Sequence, residues 1–114
     1  MEMEETISIT ANPVKDRILT LYLEICATSA YLQNVIVSNA PGNKMLMYKE
    51  FRKEIIELYN LSHRYEKLNK DILKEISDWT KEPMAKPKDT FIMKSIVLAD
   101  KYIGELKRIQ VIEM

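Results

Sequence analysis

From Lys44 to Trp79 apolar residues recur at alternating spacings of three and four. The positions are Tyr48, Phe51, Ile55, Leu58, Ser62, Tyr65, Asn69, Ile72, Ile76 and Trp79. Eight of these ten positions are apolar, against eight of the other twenty-five between Met45 and Trp79, so the excess lies on one face. Such a stripe marks an amphipathic helix with a coiled-coil-like seam. No Gly or Pro interrupts the chain between Gly42 and Pro83. The pattern therefore predicts one continuous helix, about 50 Å long at 1.5 Å per residue. Glu66 with Lys70, Lys67 with Asp71, and Lys74 with Asp78 stand four apart with opposite charge and favour it locally. Asn60-Leu61-Ser62-His63 is its weakest point by propensity, but nothing there compels a kink. Ser62 and Asn69 interrupt the seam one heptad apart. In a coiled coil such residues fix register and partner number; the alternative is a less packed middle section where they meet water.

Two shorter helices flank this spine. Asn12-Pro13 is a start signal, with Asn12 as N-cap and Pro13 at the first helical position. The helix that follows runs to about Val37 and carries two adjoining stripes. One is Ile18, Tyr22, Ile25, Ser29, Leu32 and Ile36; the other is Leu19, Leu23, Cys26 and Ala30. Two stripes want partners on two sides, so this helix is expected to be buried around most of its circumference. Ser38 to Asn43 is a turn long enough to reverse the chain, with Asn43 as the next cap. Lys81 to Asp89, with Pro83 and Pro87, reads as a linker. Asp89 or Thr90 then caps a helix from about Phe91 to Glu113, striped by Ile92, Ile96, Ala99, Ile103 and Leu106, with Tyr102 and Ile109 beside them. Gly104 costs about 1 kcal/mol relative to Ala inside a helix, which predicts a close approach by another helix there. Residues 1–11 read as a flexible tail, in which Thr6 to Thr10 alternates like a strand without a partner.

The expected fold is all-α: one domain over residues 12–114, three antiparallel helices with a long central one, paired into a dimeric helical bundle. The argument for a homodimer is surplus apolar surface. Ile18 to Val37 carries a single charge, Glu24, and the spine has apolar residues off its seam at Ile56, Tyr59, Leu61, Leu68 and Leu73. Large exposed apolar patches mark interfaces. The seam itself, Tyr48, Phe51, Ile55, Leu58, Ser62, Tyr65, Asn69, Ile72, Ile76 and Trp79, is the expected contact between subunits.

Composition narrows the function. With 17 basic and 17 acidic residues the formal net charge is zero, which gives no global pull toward nucleic acid or an acidic membrane. A local concentration remains at Lys81, Lys86, Lys88 and Lys94, continued by Lys101, Lys107 and Arg108. These are the residues for phosphate contact in the alternative reading, a nucleic-acid-binding accessory protein. Glu82, Asp89, Asp100 and Glu105 sit among them and weaken it. The stretch Ile18 to Val37 approaches the length of a membrane span, but Thr20, Thr28, Ser29, Gln33 and Asn34 are costly in lipid, so no membrane helix is expected. The acidic start, Met1 to Glu5, does not read as a secretory signal, and with the lone cysteine points to a reducing, cytoplasmic setting.

Catalytic equipment is sparse. Cys26, the only cysteine, has no activating neighbour in sequence and is expected as a buried, inert thiol. His63 and Glu66, near Glu54 and Glu57, have the ingredients of a helical metal site. Their order is the reverse of the Glu-x-x-His pair such sites use, and His63 falls beside the seam, at a solvent-facing position. No phosphate loop, nucleophile elbow or Cys/His cluster appears. The expectation is a non-enzymatic protein-interaction or structural module that acts as a homo-oligomer with an unidentified protein partner, without cofactor or metal.

In length and in its Ile, Lys and Glu-rich, Gly-poor composition the chain resembles the small accessory proteins of crenarchaeal rod-shaped viruses; Lys70-Asp71-Ile72-Leu73-Lys74-Glu75-Ile76 has that character. The resemblance implies a protein made in the host cytoplasm that works by binding, and it carries over no site.

Overall fold

The computed structural model describes residues 12–39, 43–82 and 86–113. The expected tail over residues 1–11 lies outside them. The described residues form four helices and no strand: α1 (Pro13–Ser38), α2 (Lys44–Ser62), α3 (Lys70–Thr80) and α4 (Asp89–Arg108).

The first start signal works as its chemistry requires, with Asn12 Oδ1 accepting from Lys15 N–H at 3.1 Å and Pro13 in the first turn. Asn43 occupies the cap position of α2, but its side chain accepts no bond there. At α4 the cap position is Lys88, and Asp89 is instead the first helical residue, paired with Lys44 at 2.7 Å.

The continuous spine is not formed. The helix stops at Ser62, and the chain turns through residues 63–69 and starts again at Lys70. The second half returns beside the first: Arg52 Nη2 donates to the carbonyls of Thr80 (2.9 Å) and Glu82 (2.6 Å). Those contacts satisfy carbonyls at the end of α3, where a cation also suits the helix dipole. The Arg52 guanidinium lies 5.7 Å from the centroid of the Trp79 ring as well. Ser62 does not meet water, whereas Asn69 is exposed, at a turn rather than along a continuous seam. Ser62 is fully buried, donating to Leu58 O and accepting from Tyr102 OH, both at 2.6 Å. Asn69 is the N-cap of α3, its Oδ1 accepting from the N–H groups of Asp71 (2.9 Å) and Ile72 (3.1 Å). Of the three charge pairs, only Lys74–Asp78 forms among the described residues, because Glu66 and Lys67 lie in the turn.

Contacts between helices fix the topology. Arg17 of α1 pairs with Glu57 of α2, and Thr28 of α1 meets Glu54, so those helices run antiparallel. Trp79 meets Ser95, and the Asn69 N–H donates to Glu105, so α3 and α4 are antiparallel. Lys107 near the end of α4 reaches Tyr22 near the start of α1. The result is an up-down-up-down bundle of four helices. Its core joins Ile18, Leu21, Ile25 and Leu32 of α1 to Phe51, Ile55 and Leu58 of α2, Ile76 of α3, and Ile92, Ile96, Tyr102 and Leu106 of α4. Leu68, from the turn, is buried with them. Two hydroxyl clusters are embedded in this core. In one, Ser95 Oγ donates to Phe91 O and accepts from Trp79 Nε1 (2.8 Å), with Tyr48 OH at 3.4 Å. In the other, Ser62 joins Tyr102, whose phenol burial pushes up to about 12. Polar groups so deep stay only when partnered, and among the described residues none is left without a bond.

The last helix ends earlier than its pattern predicts. Gln110 takes positive φ (64°), and the N–H groups of Gln110 and Val111 return to Lys107 O and Leu106 O. This Schellman-type stop folds Val111 and Ile112 onto the core. Nor is Gly104 a point of close approach within the chain: a Cβ built on it would meet nothing within 4 Å. Gly104→Ala is therefore expected to stabilise the folded chain by about 1 kcal/mol, seen as a raised urea midpoint with an unchanged m-value.

Candidate interaction surface

With the core closed inside one chain, the seam expected between subunits is largely interior. Tyr48, Phe51, Ile55, Leu58, Ser62, Ile76 and Trp79 are buried in their own chain; Tyr65 and Ile72 are half-buried against the same core; Asn69 is exposed at its cap. Of the off-seam residues, Leu68 is buried, and Ile56, Tyr59, Leu61 and Leu73 pack against the core. The fold-back of α3 covers most of the surface that argued for a partner.

One apolar face stays uncovered. On α1 the inward stripe is buried at Ile18, Leu21, Ile25, Leu32 and Val35, whereas Leu19, Leu23, Cys26, Ala30 and Val37 are exposed. Leu23 keeps 51% and Val37 82% of its accessible surface, large for aliphatic side chains in mid-helix and at the last turn. This corrects two expectations. The helix is not buried around most of its circumference, and Cys26 is an exposed thiol. Two stripes do not require two internal partners; a four-helix bundle brings α1 into contact with α2 and α4 on one side only.

The stripe Leu19, Leu23, Cys26, Ala30, Gln33, Val37 advances by four, three, four, three and four residues, the periodicity of a helix–helix seam. Gln33, its polar member, turns its amide back to donate to Ser29 Oγ at 3.0 Å. No charged residue lies on it. Glu24 is on the opposite flank, near Glu54 and Arg17 of the α1–α2 junction. That junction is strongly polar. Arg17 makes a two-pronged pair with Glu57 (2.7 and 2.8 Å), and its guanidinium holds the Glu57 carboxyl below the usual range. Glu54, half-buried beside Thr28, is pushed up by loss of water. One flank of α1 is thus electrostatically closed, and its outer face is apolar and open.

On the other flank α1 borders α4. Lys107 Nζ donates to Tyr22 OH at 2.9 Å and sits 4.6 Å from the ring centroid, and the bond holds the ammonium above its ordinary pKa. Lys107 belongs to a stripe of α4 that also contains Val97, Asp100 and Gly104, all exposed. Val97 retains 53% of its surface. The outer faces of α1 and this flank of α4 therefore form one continuous surface.

The other candidate residues are dispersed. Lys81 ends α3, Lys86 and Lys88 lie on the exposed approach to α4, and Lys94 is on its outer side. The shallow hollow beside Lys94 is lined by Glu75, Asp78 and Glu82, so three carboxylates surround one ammonium. His63 is half-buried rather than solvent-facing; its Nδ1 lies 3.0 Å from Tyr59 O and its ring stacks on Tyr59 at 4.9 Å. Among the described residues no three His, Cys, Asp or Glu side chains gather where a metal ion could sit, and no helix is long and apolar enough to cross a membrane. No family, curated protein or solved structure matches this chain.

Proposed function

We propose that this chain is a non-enzymatic helical interaction module that works by self-association through the outer face of α1. The observation that carries this reading is the contrast between a core with every described polar group partnered and an open stripe of Leu19, Leu23, Cys26, Ala30 and Val37 on its longest helix. Single exposed apolar residues are ordinary; a contiguous, uncharged, seam-spaced row of them is a contact surface.

Sedimentation at micromolar concentration tests it. The native chain is expected at twice its 13.4 kDa mass. Leu23→Glu places an ionised carboxylate in the contact and is expected to weaken association by about 100-fold or more, while far-ultraviolet circular dichroism stays unchanged because Leu23 is outside the core. A native chain that remains at 13.4 kDa up to about 100 μM, or a Leu23→Glu variant that associates as tightly as the native one, overturns the assignment.

A further inference from the structure

Resting on that self-association, we infer that the outer face of α1 receives the same face of a second copy, the two α1 helices lying antiparallel with the two-fold axis level with Thr28.

The order of residues on the stripe carries this arrangement. The intervals four, three, four, three, four read the same in both directions, so an antiparallel copy meets the stripe position for position. Leu19 then faces Val37 of the partner subunit, Leu23 faces the partner's Gln33, and Cys26 faces the partner's Ala30. Each large side chain meets a smaller or turned-away one, and the spacing between helices stays even. A parallel pairing stacks Leu on Leu at one end and the turned-away Gln33 on itself at the other, so the helices would splay. Antiparallel helices also oppose their dipoles, which parallel neighbours do not.

Charge favours a copy of this chain over a charged partner. From Leu19 to Val37 the α1 stripe itself offers no ionised group to complement a basic or acidic surface, and its own copy is equally uncharged; Lys107 and Asp100 stand on the bordering flank of α4. At about 1.5 Å per residue and about 10 Å of width, the α1 stripe from Leu19 to Val37 and the α4 flank from Val97 to Lys107 present on the order of 400 Å² per subunit, the size of a weak, reversible pair beside the roughly 800 Å² per partner of a standard one. Cys26, Ala27 and Ala30 at the centre allow the helices to come close.

Cross-linking with a short bis-maleimide, which adds one thiol at each end, tests the register. In the native chain Cys26 and its symmetry mate lie about 6 Å apart along the axis, and a covalent dimer is expected. In a Cys26→Ala background, Leu19→Cys mixed with Val37→Cys is expected to give the mixed dimer. Leu19→Cys alone is expected to give at least ten-fold less, since its two thiols lie about 27 Å apart along the axis. Efficient cross-linking of Leu19→Cys with itself makes the helices parallel and overturns this inference while leaving self-association intact. A dimer by sedimentation without any of these cross-links places the contact elsewhere and also overturns it. A 13.4 kDa species throughout removes the self-association beneath it.

Discussion

Trp79→Ala is expected to lower the unfolding free energy by about 3–5 kcal/mol, a large share of the roughly 5–15 kcal/mol available to a domain of this size. Trp79 is 7% exposed, wedged where the returning α3 meets α2 and α4. Truncation opens a cavity, removes the indole donor from Ser95 Oγ, and takes away the ring beneath the Arg52 guanidinium. Trp79→Phe keeps most of the volume and loses the 2.8 Å bond, for an expected cost of about 1–2 kcal/mol. Ser95 still donates to Phe91 O in both variants. Urea unfolding followed by circular dichroism measures both, since fluorescence loses its only tryptophan. At the end of a free-standing spine Trp79 would have few neighbours, and Trp79→Ala would cost well under 1 kcal/mol.

The second large effect is a distance. In a Cys26→Ala background, spin labels at Lys53→Cys and Lys81→Cys sit on exposed positions next to Arg52 and Thr80, whose side chain and carbonyl are 2.9 Å apart. With α3 packed beside α2 at an axis separation of about 8–10 Å, the labels are expected within about 20 Å. A continuous helix would hold them about 42 Å apart at 1.5 Å per residue. Pulsed dipolar spectroscopy separates the two values directly. The longer one would mean that the turn at residues 63–69 does not form, and with it would go the covering of Ile76 and Trp79 on which the four-helix bundle depends.

The break in the spine illustrates what an apolar pattern leaves open. Its three-and-four spacing continues through Ser62, Tyr65 and Asn69, and residues 63–69 contain neither Gly nor Pro. The groups that stabilise the turn come from far along the chain. Arg108 donates to Lys67 O at 2.6 Å, Glu105 accepts the Asn69 N–H at 3.0 Å, and Tyr102 bonds to Ser62. Arg108 and Glu105 are themselves paired at 2.7 Å. These bonds satisfy groups that an interrupted helix leaves bare, and burial of Leu68, Ile76 and Trp79 favours the fold-back. The clues were local but weak: the poor propensity at Asn60 to His63, two polar seam residues of which one is a strong cap former, and Leu68 one position off the seam. The outer face of α1 was legible as a second stripe. That it is the exposed one was not, because the seam of the spine finds its partner in the same chain.

By itself the sequence determined the helical class, the start of the first helix at Asn12-Pro13, the inward stripes of the first and last helices, and the existence of two apolar faces on the first. These follow from periodicity and capping, which act over three or four residues. Only the tertiary structure decided that the spine folds back, that the bundle has four helices, that Cys26 is exposed, and which apolar face is left over. Each of those depends on groups tens of residues apart competing to cover the same surface, and a pattern read along one helix does not contain that competition.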